Sequence, residues 1–171
     1  MLLGIFGEVL KIDELRVIIP QMPGSPEIKR PSEIEGVIFL LYKDGRFLIE
    51  KRVKEGSGFY GHYIIPRGEI EKGESPLGAA GREVGEEIGV SVKSAIFLDT
   101  FNDVTLNCGF HRFHAFLVKD FEGEVCGLEP DKSILEWVTP IEARQKLELA
   151  SSRLVLFLAE RKLIEEGYLK D

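Results

Sequence analysis

Arg67–Val90 reads RGEIEKGESPLGAAGREVGEEIGV, and its punctuation predicts a helix from about Pro76 to Ile88. Ser75 is a good N-cap, and Pro76 falls at the first helical position, where its missing N–H costs nothing. Gly89 is a natural left-handed stop. At 100° per residue, Leu77, Ala80, Val84 and Ile88 share an apolar arc that should face a core. Gly78, Gly81 and Gly85 form an adjacent stripe. Each interior glycine costs roughly 1 kcal/mol relative to alanine, so a neighbouring strand or loop is expected to approach that stripe closely. Close packing alone would explain the glycines equally well.

Glu83, Glu86 and Glu87 cluster on the remaining face. Glu83 and Glu87 are like charges at i, i+4, which costs about 0.2–0.5 kcal/mol. Glu86 and Glu87 also sit in the last turn, at the negative end of the helix dipole. A solvated acidic face is the ordinary explanation of a charge cluster, but this one is arranged against both rules. A divalent cation removes the conflict. Mg²⁺ takes hard oxygen ligands and is held by one or two carboxylates together with phosphate oxygens.

Outward from this stretch, Gly36–Tyr42 is an apolar, β-branched run, Asp44-Gly45 signals a hairpin turn, and Arg46–Arg52 continues as a second strand. Tyr63–Ile65, Ser91–Phe101, Cys108–Val118 and Glu136–Val138 are further strand candidates, and Val125–Leu128 is a weak one. Ile141–Leu147 and Ser152–Glu165 have helical spacing, the second with an apolar stripe at Leu154, Leu158 and Ile164. Strands on both sides of one helix, with helices at the end, predict an α/β fold in which helices sandwich a mixed sheet. Residues 1–32 differ in character: two short apolar runs, Gly7–Ile12 and Leu15–Ile19, precede a loop broken by Pro20, Pro23, Pro26 and Pro31. They suggest an arm on a single domain rather than a second domain.

The chain has 171 residues, 44% hydrophobic, with a net charge of −7. That charge disfavours non-specific binding to duplex DNA or anionic membrane, although bound metal ions can reverse the local field for a polyanionic substrate. Two cysteines, Cys108 and Cys126, make no CxxC pair and no disulfide framework. No apolar run is long enough to span a bilayer, and the start lacks a basic segment followed by a cleavable apolar stretch, so a cytoplasmic location is expected. Only four amide side chains occur, Gln21, Asn102, Asn107 and Gln145, against abundant Glu and Lys. This is the composition of heat-adapted proteins, and a thermophilic source is expected.

The stretch matches, at every fixed position, the signature G-x5-E-x7-R-E-U-x-E-E-x-G-U, with U aliphatic: Gly68, Glu74, Arg82, Glu83, Val84, Glu86, Glu87, Gly89 and Val90. At average residue usage the seven fixed residues would match by chance in about one window per 10⁸. The chain therefore resembles the Nudix, or MutT-like, hydrolases, strictly over residues 68–90 and more softly over 36–138. The resemblance implies an α/β/α sandwich with a mixed central sheet. It implies hydrolysis of a diphosphate linkage in a nucleoside diphosphate derivative, with Mg²⁺ or Mn²⁺ as cofactor. Carried over by position, Glu83, Glu86 and Glu87 would ligate metal, with one of them serving as base, and the carbonyl of Arg67 would be a further ligand. Arg82 would orient a glutamate, and Glu74 would support the loop or the metal-bound water. Lys51 and Arg52 would reach phosphates, and Glu129 is the favoured distal carboxylate beyond the motif.

Three rivals were weighed. A zinc site from His111, His114 and the cysteines fails because residues three apart in a strand face opposite ways. Isopentenyl diphosphate isomerase chemistry needs a cysteine in a context that neither Cys108 nor Cys126 shows. A non-catalytic nucleotide sensor on the same fold is the alternative function, although no motif residue has been lost here. The substrate is less legible: the positions used by relatives specific for ADP-ribose or dinucleoside polyphosphates, Thr105–Cys108 here, hold neither Pro nor Tyr.

A lone two-stranded hairpin is marginal in water, so the segment Met1–Ile19 is expected to pair its strands with the domain or with a second subunit, making a homodimer. Deleting residues 1–30 should then lower the melting temperature or change the mass measured by light scattering. No change in either would sink the idea.

Overall fold

The computed structural model describes residues 34–105 and 109–170. The N-terminal arm, Asn107 and Cys108 lie outside the described residues. The elements in order are β1 (Ile34–Lys43), β2 (Arg46–Arg52), β3 (Tyr63–Ile64), β4 (Arg67–Glu69), α1 (Pro76–Glu83), a π-helical turn (Val84–Ile88), β5 (Ser91–Thr105), β6 (Gly109–Glu122), β7 (Ser133–Val138), α2 (Pro140–Lys146) and α3 (Ala150–Glu165).

Strand β1 organises the rest. On one side it pairs in parallel with β6, from Ile34 against His111 to Leu41 against Val118. On the other side its first half pairs antiparallel with β4 and its end with β2. A strand with partners on both edges and cover on both faces is a continuous apolar run, and Val37 through Leu41 are fully buried. Their alternation builds two cores. Ile38, Leu40 and Tyr42 join Phe47, Ile49, Leu117, Val155, Ala159 and Leu163 under α2 and α3. Val37, Phe39 and Leu41 join Leu48, Ala79, Ala80, Val84 and Ile88 under α1 and the π turn. The result is a mixed seven-stranded sheet between two helical layers, the sandwich expected from the sequence. The Asp44-Gly45 turn has φ of 50° and 77°, the two positive values that a two-residue primed hairpin turn requires.

Several local expectations are corrected. The motif helix does not stay α-helical to Ile88. It changes at Val84 to a π turn closed by Gly89, whose N–H donates to the carbonyl of Val84 at 3.1 Å. Leu77 is exposed, and the contact face is made by Ala79 and Ala80, small enough to lie directly on Val37 and Phe39. Only the first glycine of the stripe is closely approached: a Cβ on Gly78 would lie 3.1 Å from Ser75 Oγ and 3.5 Å from Glu74 Cγ, whereas one on Gly81 would meet nothing within 4 Å and one on Gly85 only the carbonyl of Val90 at 3.9 Å. Val125–Leu128 forms no strand, because the N–H groups of Cys126 and Leu128 are taken by the carbonyls of Ile88 and Glu87. β4 was not expected, being three residues with no apolar alternation. In α3 the buried stripe is Val155, Ala159 and Leu163, while Leu154 is exposed.

Gly89 both ends the π turn and packs against the following loop. At φ 81° an added Cβ would stand 2.7 Å from Cys126 Sγ. Gly89→Ala should cost at least about 1–2 kcal/mol from the left-handed conformation alone and shift the denaturant midpoint downward. An unchanged midpoint would mean that the turn re-forms without a left-handed residue.

Candidate active site

Three signature residues, Gly68, Glu83 and Glu87, line one cavity of about 390 Å³ beside β2, β3 and β4. Arg52, Gly58, Phe59, Ile64, Arg67, Gly68, Glu69, Glu83, Glu87 and Lys132 line it. A larger cavity of about 630 Å³ lies at the other end of β1, beside Lys43, Asp44, Arg46, Glu124 and Trp137. Its two cations and two carboxylates offset one another.

Gly68 shows why the motif opens on glycine. A Cβ there would lie 2.0 Å from Cδ of Glu83, so the carboxylate of Glu83 rests on bare backbone. The π turn then sorts the other two glutamates. Its i→i+5 repeat is wider than an α turn, so residues beyond Val84 rotate relative to an α-helical projection. Glu87 comes to the cavity wall, 9% exposed, while Glu86 points outward, 64% exposed. The three-glutamate cluster expected from the sequence is thus divided into two inward carboxylates and one on the rim.

Arg82 ties the motif together. It donates to both oxygens of Glu74 (3.1 and 3.0 Å), to Glu83 (2.9 Å), to Glu86 (3.2 Å) and to the carbonyl of Glu69 (2.9 Å). The bidentate bond to Glu74 is the strong planar form, and it holds the Glu74 carboxyl below the usual carboxylate range. Glu74 also accepts from the N–H of Glu71, which fixes the loop between β4 and α1.

On the other side, Glu87 meets Lys132, whose ammonium also binds Glu129 at 2.7 Å. Burial pushes the Glu87 carboxyl up to about 7, and the negative charges of Glu50 and Glu83 add to the rise, while Lys132 opposes it. Burial works against the Lys132 ammonium, yet Glu129 and Glu87 raise its pKa. Burial and Lys132 pull Glu87 in opposite directions, and burial prevails, helped by the like charges of Glu50 and Glu83. One oxygen of Glu87, Oε2, is buried with no hydrogen-bond partner.

Arg67 supplies a third wall. Its guanidinium lies 5.3 Å from the rings of Phe59 and Phe113, donates to Ser152 at 3.2 Å and approaches Asp103 at 3.9 Å. Ser152, fully buried at the start of α3, also accepts from the N–H of Ile65, so α3 is bonded to the segment leading into Gly68. Phe59, at φ 66°, is a non-glycine residue in the left-handed region, a conformation that concentrates at functional sites.

Of the two basic residues expected at the phosphates, Arg52 lines the cavity and reaches Glu50 at 3.4 Å. Lys51 does not; it lies on the other face of β2, over the ring of Tyr63, because adjacent strand residues alternate faces. Glu50 and Lys132 were not singled out from the sequence. Glu50 is 2% exposed at the end of the run Phe47–Glu50, and its even spacing from buried Leu48 is a signal that an acidic residue faces inward. Lys132 carried no comparable signal.

The donors suit a hard divalent cation: they are all oxygens, one buried oxygen is unsatisfied, and the glycine at 68 lets Glu83 reach the cavity wall. Among the described residues no three acidic, histidine or cysteine groups converge on one point, since Lys132 and Arg82 engage the carboxylates. Substrate oxygens ordinarily complete such a shell.

The family model described as the NUDIX domain matches residues 34–158. The fold is shared with a MutT NUDIX hydrolase from Burkholderia pseudomallei (TM-score 0.65, 24% identity, 74% of this chain and 98% of that one). It is shared too with an ADP compounds hydrolase (TM-score 0.68, 21% identity, 82% and 78%). A third is the NUDIX domain of Shewanella oneidensis NrtR, solved with ADP ribose (TM-score 0.65, 17% identity, 77% and 89%). With the family model covering most of the chain and Gly68, Glu83 and Glu87 of the signature brought to one cavity, this protein belongs to the Nudix family.

Proposed function

We propose that this protein is a hydrolase that cleaves the diphosphate linkage of a nucleoside diphosphate derivative with a divalent cation, Mg²⁺ or Mn²⁺. The observation that carries the proposal is the pairing of Glu83 and Glu87 on one cavity wall, with an unsatisfied buried oxygen on Glu87. A buried carboxylate oxygen left without a hydrogen-bond donor is costly unless a ligand completes it. The two solved structures named for ADP compounds support the substrate class, and the net charge of −7 fits a metal–nucleotide complex better than a bare polyanion.

Glu83 and Glu87, together with the backbone of Arg67, are the groups that would hold the cation. Bound there, it supplies charge neutralisation for the diphosphate and activation of the attacking water. Arg52 is placed to take a phosphate oxygen. Arg82 holds Glu83 and Glu86 in orientation, and Glu74 holds Arg82. Glu83 and Glu87 are the inward carboxylates placed to serve as general base. Glu86 and Glu129 stand at the rim as further ligands. No helix among the described residues is long and apolar enough to cross a membrane. A cytoplasmic location and a thermophilic source remain expectations from composition.

Glu83→Gln and Glu87→Gln should keep the fold and lower turnover by roughly 10²–10⁴-fold on the best substrate from a panel of ADP-ribose, dinucleoside polyphosphates and nucleoside triphosphates with Mg²⁺ and Mn²⁺. Near wild-type rates in both variants would refute the assignment. Tight nucleotide binding without turnover in the wild type would instead make the protein a sensor.

The Glu87 carboxyl also predicts a pH dependence. Its folded pKa, about 7, lies above the ordinary value of 4.5. The contribution to stability is therefore full below about 4.5 and is lost as pH rises through about 7. With chelator at pH 8, Glu87→Gln should melt several degrees above wild type, and the gap should close by pH 5. A gap independent of pH would mean that Glu87 is not the titrating group.

A further inference from the structure

Lys132 stands where a cation is wanted. Its backbone is fixed: its N–H donates to the carbonyl of Glu129 at 2.9 Å, and its own carbonyl accepts from Val53 at 3.0 Å. The side chain leaves this anchored point and brings its ammonium to Glu87 Oε1 and Glu129 Oε2 together. The lysine is 31% exposed and Glu87 only 9%, so the stem runs from the rim to an inward carboxylate. Glu87 keeps its other oxygen buried and unpartnered in the same place. Gly68, Glu83 and Arg52 line the same cavity.

A lysine head is a compact point charge on a flexible four-carbon stem with three rotatable donors. It gives up one carboxylate for another position without moving the backbone. An ammonium bonded to Glu87 also repels any second cation brought against that carboxylate. We propose that Lys132 is a resident counter-ion that occupies the Glu87–Glu129 position in the metal-free enzyme and competes with the divalent cation for Glu87. The proposal rests on the assignment of Glu83 and Glu87 as cation-holding groups. It adds a competing charge built into the chain, which sets how readily metal enters without nucleotide.

The test is Mn²⁺ binding to the full chain without nucleotide, measured by titration calorimetry and by the electron paramagnetic resonance signal of free Mn²⁺. Lys132→Met removes the charge and keeps a long unbranched stem. It should bind Mn²⁺ about tenfold more tightly than wild type, a difference of 1.4 kcal/mol, with Lys132→Gln alongside in case the methionine variant does not fold. Lys132→Arg keeps the charge and should stay near the wild-type affinity. If Lys132 were only a brace for the Glu129 turn, removing it would loosen Glu129 and weaken binding. Equal or weaker Mn²⁺ binding by the neutral variants, with binding still abolished by Glu83→Gln, would overturn the proposal and leave the metal site standing. Binding indifferent to Glu83→Gln in every background would overturn the metal site itself and the role of Lys132 with it.

Discussion

Glu83 and Glu87 are held side by side on the wall of a half-closed cavity, and the repulsion between them is the condition to which the surrounding residues answer. Arg82 reaches Glu83 from one side while bound bidentately to Glu74. Lys132 reaches Glu87 from the other. Neither cation takes both carboxylates, and the space between them faces the cavity. Glu50, buried in β2 beneath the same wall, adds a third negative charge. Each carboxylate has one cationic partner, yet Glu87 Oε2 stays buried without one, which is what a site completed by a ligand presents.

The geometry depends on two backbone features. Gly68 lets the carboxylate of Glu83 lie against β4, and the π turn presents Glu87 to the cavity while turning Glu86 to solvent. Short π segments occur inside α-helices chiefly at functional sites, and this one begins at Val84, directly after Arg82 and Glu83. Gly78 lies against Ser75 and Glu74 of the preceding loop, but the glycines at 81 and 85 admit no close neighbour, so their helix-weakening effect has no packing explanation here.

Much of this was legible in the chain because it is local. Ser75, Pro76 and Gly89 mark the helix ends through capping chemistry that needs no tertiary context. Val37–Leu41 shows a central strand because burial on both faces leaves no room for polar alternation. Asp44-Gly45 dictates its own turn. What was not legible depends on contacts distant in sequence. The π turn at Val84–Ile88 is bonded to the distant Cys126–Leu128 loop and leaves no mark in the local helical spacing, so that spacing groups Glu86 with residues it turns away from. Lys51 and Arg52 look alike as sequence, and only the faces of β2 separate them. Leu154 and Leu158 suggested the buried stripe of α3, but Ser152 must face Ile65 and Arg67, and that rotates Val155, Ala159 and Leu163 inward. Lys132 carries no pattern at all, because its meaning comes from Glu87, far away in the chain.

The central position of β1 bears on how the chain reaches this structure. Parallel pairing needs a long crossover, and β1 finds its parallel partner only at residues 111–118. During synthesis Val37–Leu41 therefore emerges as a bare apolar strand. It has only the β2 hairpin at its end and the three residues of β4 at its start to pair with until most of the chain has left the ribosome. Distant strand pairing of this kind slows folding and prolongs the exposure of sticky edges. Slower translation or a lower growth temperature should favour recovery of soluble protein, and fragments ending before β6 should aggregate.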